Sequence, residues 1–140
     1  MLPSEIQNKR VLISPLNWGM GYVSRCIGLV NQLISQENSI YIACAHDQQQ
    51  IFEYYFSGLT FIRHQGYPFY FGGKGNFTRD ILVSYFALKR RMKKEREEVS
   101  QYVSTHSIDI VLSDHRYGFR SKAIPSVFVT HQLNLPIRWY

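Results

Sequence analysis

Three consecutive residues, Asp114, His115 and Arg116, put a carboxylate, an imidazole and a guanidinium side by side in "SDHRYGFRSK" (113–122). Such a trio can address a sugar hydroxyl or a phosphate, the acid by accepting hydrogen bonds and the cation by donating them. Far upstream, "SPLNWGMGYVSRC" (14–26) places Gly19 and Gly21 just ahead of a helical pattern. Glycines there let the backbone approach a ligand closely, and a helix N-terminus attracts anions. Each set also has a plainer explanation. Asp114 can cap the loop that follows it, and His115 can be a surface histidine. Arg116, Arg120 and Lys122 can form a solvated basic face, and the glycines can make a tight turn with no ligand.

Whether these residues meet depends on the elements around them. "RVLISP" (10–15) is a short continuous apolar run, as a buried parallel strand makes. From 22 to about 36, Val23, Ile27, Val30 and Ile34 recur at helical spacing. A second strand is expected over 39–45, a short helix over 47–56 with Asp47 as N-cap, and a third strand over 59–64. "QGYPFYFGGKGNF" (65–77) reads as a loop. A long helix follows over 78–106, its stripe formed by Ile81, Tyr85, Leu88, Met92, Val99 and Val103. Strands over 108–114 and 124–131 complete the pattern, the last with Pro125 near its start, where proline is tolerated.

Strands alternating with helices predict an α/β fold, an open parallel sheet with helices on both faces. Ligands of such sheets bind beyond the carboxyl ends of the strands. That rule puts the glycine turn and the 113–122 loop on one edge.

The 140 residues suffice for one domain with a real core, since a chain of this length buries roughly 70% of its unfolded surface. The net charge of +6 favours anionic partners without choosing among them. Cys26 and Cys44 lie in no metal-ligand or disulfide pattern and read as buried thiols. No signal peptide and no apolar run long enough to span a bilayer is present, so a cytoplasmic chain is expected. The stretch Gly19-Met20-Gly21-Tyr22-Val23-Ser24 lacks the third glycine of a dinucleotide site, and Asp47 is as well explained by capping as by a ribose. No Gly-Lys-Ser/Thr phosphate loop occurs, and no nucleic-acid-binding signature accompanies the basic charge.

"VLISPLNWGMGYVSRCIGLVNQL" resembles the first strand, glycine-rich loop and first helix of GT-B glycosyltransferases, which carry two Rossmann-like domains. The likeness is nearest to the family 28 branch, which includes the peptidoglycan N-acetylglucosaminyltransferase and relatives with an Asn-Trp-Gly-x-Gly-His loop. "DIVLSDHRYGFRSKAIPSVFVTHQLNL" (109–135) is similar to a later strand, Asp-bearing loop and His-Gln strand end of the same branch. The resemblance is weakest from 46 to 106.

It implies an acceptor-binding N-terminal part of an enzyme that moves a sugar from a nucleotide-sugar donor to a glycan or lipid-linked acceptor. The donor would be held mainly by a second domain, so the 140 residues alone are expected to be inactive. It further implies acceptor or phosphate contacts from Asn17, Gly19, Gly21, His115, Arg116, His131 and Gln132, with no metal and no cofactor. Tyr22 stands where the family has a histidine. Bringing a tyrosine from its ordinary pKa near 10 to neutrality takes roughly 4 kcal/mol, so Tyr22 is expected to donate a hydrogen bond, and the base is either Asp114 or missing. A non-catalytic relative that binds a sugar nucleotide or a glycolipid is the alternative. The aromatics Tyr67, Phe69, Tyr70 and Phe71 could meet a glycolipid, or fold back as core. "KRRMKKER" (89–96) could lie on anionic lipid, or be a solvated face balanced by Glu95, Glu97 and Glu98.

Overall fold

A computed structural model describes residues 2–17, 20–68, 75 and 77–130, without the side chains of Met20 and Phe77. After a 3-10 turn at Pro3–Glu5, the order is β1 (Arg10–Pro15), α1 (Met20–Ser35), β2 (Ser39–Cys44), α2 (His46–Tyr55), β3 (Thr60–Arg63), α3 (Phe77–His106), β4 (Ile110–Asp114) and β5 (Ser126–Val129). The five strands form one parallel sheet in the order β3-β2-β1-β4-β5. This is the expected Rossmann-like α/β arrangement.

Side chains alternate across the strands, so each strand feeds two cores. Val11, Ile13, Ile40, Ile42, Ile110 and Leu112 face α1 and α2, where Val23, Cys26, Val30, Leu33 and Phe52 cover them. Leu12, Ala43 and Val111 face α3, and meet Val99, Tyr102, Val103 and Phe119. The chain winds outward from β1 to β3 through α1 and α2, then α3 carries it back to β4 on the other side of β1. The direction of winding reverses between β1 and β4, and a crevice opens at such a switch point.

Several boundaries and faces differ from expectation. Asp47 lies in the first turn of α2, whose N-cap is Ala45. In α1 the buried line runs Val23, Cys26, Val30, Leu33, while Ile27 is half-buried and Ile34 exposed. Cys26 and Leu33 take the inward slots because helical spacing admits either neighbour and the smaller thiol fits against β4. Pro125 precedes β5 and joins the ladder through its carbonyl alone, accepting from the Val111 N–H at 3.0 Å.

The largest correction concerns α3. Ile81 and Tyr85 are exposed, Val99 is buried as expected, and the helix also buries Ser84, Arg91 and Glu95. Glu95 and Arg91 are therefore not part of a solvated face.

Candidate functional site

At the carboxyl edge β1 and β4 run in register to Pro15 opposite Asp114. The Leu16 N–H donates to the Asp114 carbonyl at 3.1 Å, so the two strand ends leave the sheet together. Beyond them lies a cavity of about 330 Å³, lined by Leu16, Tyr22, Tyr67, Leu88, His115 and Tyr117, with Met92 from α3. The first turn of α1 borders it through Tyr22 and carries no acidic residue. Among the described residues, and apart from α1's own adjoining backbone, no atom lies within 4 Å of where a side chain on Gly21 would begin. The first turn of a helix has N–H groups without helical partners, so an anion is favoured beside it.

The aromatic walls touch one another. The rings of Tyr22 and His115 meet edge-on at 5.5 Å, and His115 meets Phe128 at 5.8 Å. Phe128 stacks on Tyr117 at 4.9 Å, and both are exposed. His115 is held at φ 57°, in the left-handed region. Among the described residues the other positive-φ residues with side chains, Asn8, Glu37 and Ser107, sit at the opposite edge, ahead of β1, β2 and β4. Such a backbone costs about 1 kcal/mol or more for a non-glycine residue, and at His115 it turns the chain sharply off the end of β4.

Asp114 stands apart from that cavity. Its carboxylate is buried under α1, where Arg25 Nη2 donates to Oδ1 at 2.8 Å and to Oδ2 at 3.0 Å. Cys26 Sγ lies 3.8 Å from Oδ2, and its thiol is pushed up by burial and then by the Asp114 charge. Arg25 in turn lies with its guanidinium 4.7 Å from the Tyr22 ring centroid. Asp114 thus braces the start of α1 rather than facing the cavity. Cys44, the other buried thiol, is pushed up to about 12 by burial and the nearby Asp47 charge.

Arg116, expected to meet substrate or solvent, does neither. Its Nε donates to Glu95 Oε1 at 2.8 Å, its Nη2 donates to the Gln65 carbonyl at 2.9 Å, and its guanidinium covers the Tyr67 ring at 4.4 Å. Asn17 is also engaged internally, its Oδ1 accepting from the Tyr67 N–H at 3.0 Å. A side chain on Gly66 would overlap Asn17, so glycine is what allows the β3–α3 segment to close over the β1 end.

Glu95 anchors a buried cluster that the expected apolar stripe of α3 did not foresee. It is 0% exposed and receives His64 Nε2 at 2.7 Å, Arg116, and the Tyr67 hydroxyl. Burial alone would raise its carboxyl. The hydrogen bond from His64, the Arg116 charge and the Tyr67 hydroxyl outweigh that and hold it below the ordinary value. Burial, helped by the Arg116 and Arg91 charges, lowers His64. A neutral ring must then carry its hydrogen on Nε2, because the Glu95 carboxylate can only accept. Nδ1 accepts from the Tyr102 hydroxyl at 2.9 Å. Burial and the Glu95 charge push the Tyr67 phenol up.

Gly118 completes the closure. Its N–H donates to the Tyr67 oxygen at 2.8 Å, and a side chain there would stand 2.7 Å from Glu95 and 2.9 Å from the Met92 backbone. Arg91 reaches the Gln65 carbonyl at 2.9 Å and Glu98 at 3.1 Å, while its buried Nε and Nη1 have no hydrogen-bond partner among the described residues. The sequence carried one trace of this cluster. The stripe of α3 runs from Met92 to Val99 without an apolar residue between, and the empty inward slot is Glu95.

Among the expected contacts, Tyr22 and His115 line the cavity, and Gly21 lies beside it on the first turn of α1. Arg120 and Lys122 are exposed elsewhere. Gly19, His131, Gln132, Phe69, Tyr70 and Phe71 lie outside the described residues. Among the described residues no three potential metal ligands converge, and no helix is long and apolar enough to cross a membrane. Compared with family models, with curated proteins and with solved structures, the chain matches none.

Proposed function

We propose that the chain is the acceptor-side part of a glycosyltransferase, and that the cavity beyond β1 and β4 receives a sugar ring of a glycan or glycolipid acceptor. The observation that carries this is the cavity's position at the switch point of the sheet, beside the open first turn of α1. Its walls suit a pyranose. Tyrosine rings offer faces for the apolar side of the sugar, and their hydroxyls and an imidazole address its hydroxyl groups.

The residue roles shift accordingly. Histidine is the side chain best matched to proton transfer near neutrality, and His115 reaches the cavity whereas the Asp114 carboxylate is held by Arg25. His115 is therefore the base of choice, with Tyr22 as hydrogen-bond donor and Asp114 and Arg25 as the brace of α1. The nucleotide-sugar donor would approach from a second domain, over the first turn of α1. The binding of a glycolipid without chemistry is the second reading, favoured by the engagement of Asp114.

A cytoplasmic chain with peripheral contact to an anionic membrane fits this reading. The first turns of α3 expose Ile81, Leu82, Val83, Tyr85 and Phe86, and Lys89 and Arg90 follow them. An apolar row beside basic residues is how a helix lies in a lipid interface. Co-sedimentation with phosphatidylglycerol vesicles tests it, and binding that Phe86→Ser leaves intact would discard this row.

Titration of the chain with octyl glucoside, followed by amide chemical shifts, tests the acceptor site. The expected shifts centre on Tyr22, His115 and Tyr117, and His115→Ala weakens binding about tenfold, as for the loss of a good hydrogen bond and ring contact. An unperturbed cavity would sink the proposal. Release of nucleotide from a uridine diphosphate sugar by the whole protein, lost in His115→Ala, separates the transferase from the binding protein.

A further inference from the structure

A second concave surface lies on the flank of the molecule, away from the carboxyl edge. It is a groove of about 420 Å³ between the second half of α3 and the β4–β5 connection. Lys93 and Arg96 line it from α3, with the hydroxyls of Ser100 and Ser104 one and two turns further on. Arg120 and Lys122 line it from the opposite side. Glu97 is the single acid in the lining. None of the four cations takes part in an ion pair among the described residues.

Cations that face each other across a groove repel, and a chain that needed them only for solubility would gain by spreading them out or pairing them. Their supports are rigid. α3 is a 30-residue helix. The connection is braced by its own hydrogen bonds, with Ser121 N–H donating to Ser126 Oγ at 2.9 Å and Ala123 N–H to Ser121 Oγ at 3.1 Å. Arg120 N–H donates to the Gly118 carbonyl at 3.0 Å, and Gly118 is itself fixed against Glu95 and Met92. The backbone that carries the charges is thus fixed before any ligand arrives, so binding has only the exposed side chains to order. Val103 and Ala123 supply an apolar part of the lining.

From this we infer that the groove is a binding site for a small phosphate-bearing molecule with two or more negative charges. Two arginines offer the forked donors that match phosphate oxygens, two lysines offer point charges, and the serine hydroxyls donate alongside. The volume falls in the range of small-ligand sites of about 300–1,000 Å³ and exceeds what a lone phosphate fills.

The test is titration of the full chain with inorganic tripolyphosphate, followed by calorimetry and by amide shifts. Saturable binding is expected, weakening as salt is raised, with shifts over 93–104 and 120–123. Arg96→Gln/Arg120→Gln should weaken it about tenfold or more, since two charge-assisted hydrogen-bonding groups are lost. Both side chains are exposed, so far-UV dichroism and the thermal midpoint should stay as they are. Glu97→Gln should tighten binding about twofold by removing the one repelling charge, a gain that misfolding cannot mimic. Phosphatidylglycerol vesicles form the second arm. Absence of saturable binding overturns the inference, as does equal affinity in the double variant. Shifts confined to Gly21, Tyr22 and His115, or binding to vesicles without binding to tripolyphosphate, overturn it equally.

Discussion

α1 and α2 cover their face of the sheet with Val23, Val30, Leu33 and Phe52, whereas α3 covers the other with Val99 over one half and with Arg91 and Glu95 over the half nearest the carboxyl edge. An apolar face is held by the area it removes from water and tolerates changes that conserve volume. An ionic face is held only while every partner is present, because taking one away leaves another charge buried and unpaired. Both faces contain a carboxylate–arginine pair, and the two pairs differ in the same sense. Asp114 meets Arg25, whose side chain is 38% exposed, so water can take over if the pair breaks. Glu95 meets Arg116, which is 2% exposed and out of reach of water.

The contrast can be broken most forcefully at Glu95. Glu95→Gln should destabilise the protein by about 3–5 kcal/mol, because Arg116 loses its counter-charge in a buried site. Urea unfolding measures it, and a loss under about 1 kcal/mol would mean that water reaches the cluster. On the apolar face, Leu33→Ala should cost about 3 kcal/mol through lost burial and a residual void. Under the same titration its effect should not depend on pH, whereas the ionic face should respond to acid.

That response sharpens the comparison further. His64 titrates below its ordinary value of 6.5 in the native protein, chiefly because of burial. Between that value and the lower native one, the unfolded chain holds a proton that the native chain lacks. Stability is therefore complete above about pH 6.5 and falls as pH drops, by up to about 1.4 kcal/mol per pH unit. His64→Gln should flatten this limb. Glu95 is also depressed, and its share is lost only at lower pH, as the medium passes below the ordinary carboxyl range. The smallest effect is expected at the half-wet pair, where Asp114→Asn should cost about 1 kcal/mol. A loss as large as that of Glu95→Gln would erase the distinction between the two faces.

How much of this could be read from residues alone follows the same division. The parallel sheet, the placing of Gly21 and Tyr22 at its carboxyl edge and the buried thiols were legible, because continuous apolar runs and helical spacing report burial directly. Tyr22 and His115 were legible as neighbours for the same reason, since both follow strands that end on one edge. Glu95 and Arg91 were not, because a charged residue in a basic run looks solvated until its partners are known. Those partners, His64, Tyr67 and Arg116, come from three separate segments. Asp114 was legible as important but not for its purpose, since a strand-end aspartate serves equally to receive a proton or to brace a helix.

Tyr67 is a wall of the cavity and at the same time a partner of Glu95, Gly118 and Arg116. Tyr117, on the same cavity, is itself exposed and stacks on the exposed Phe128. The chamber is therefore stiff on one flank and compliant on the other. If the cavity takes a sugar as proposed, a guest of unfamiliar shape would be accommodated by the swing of the Tyr117 ring, with the Tyr67 side as the fixed wall it sits against.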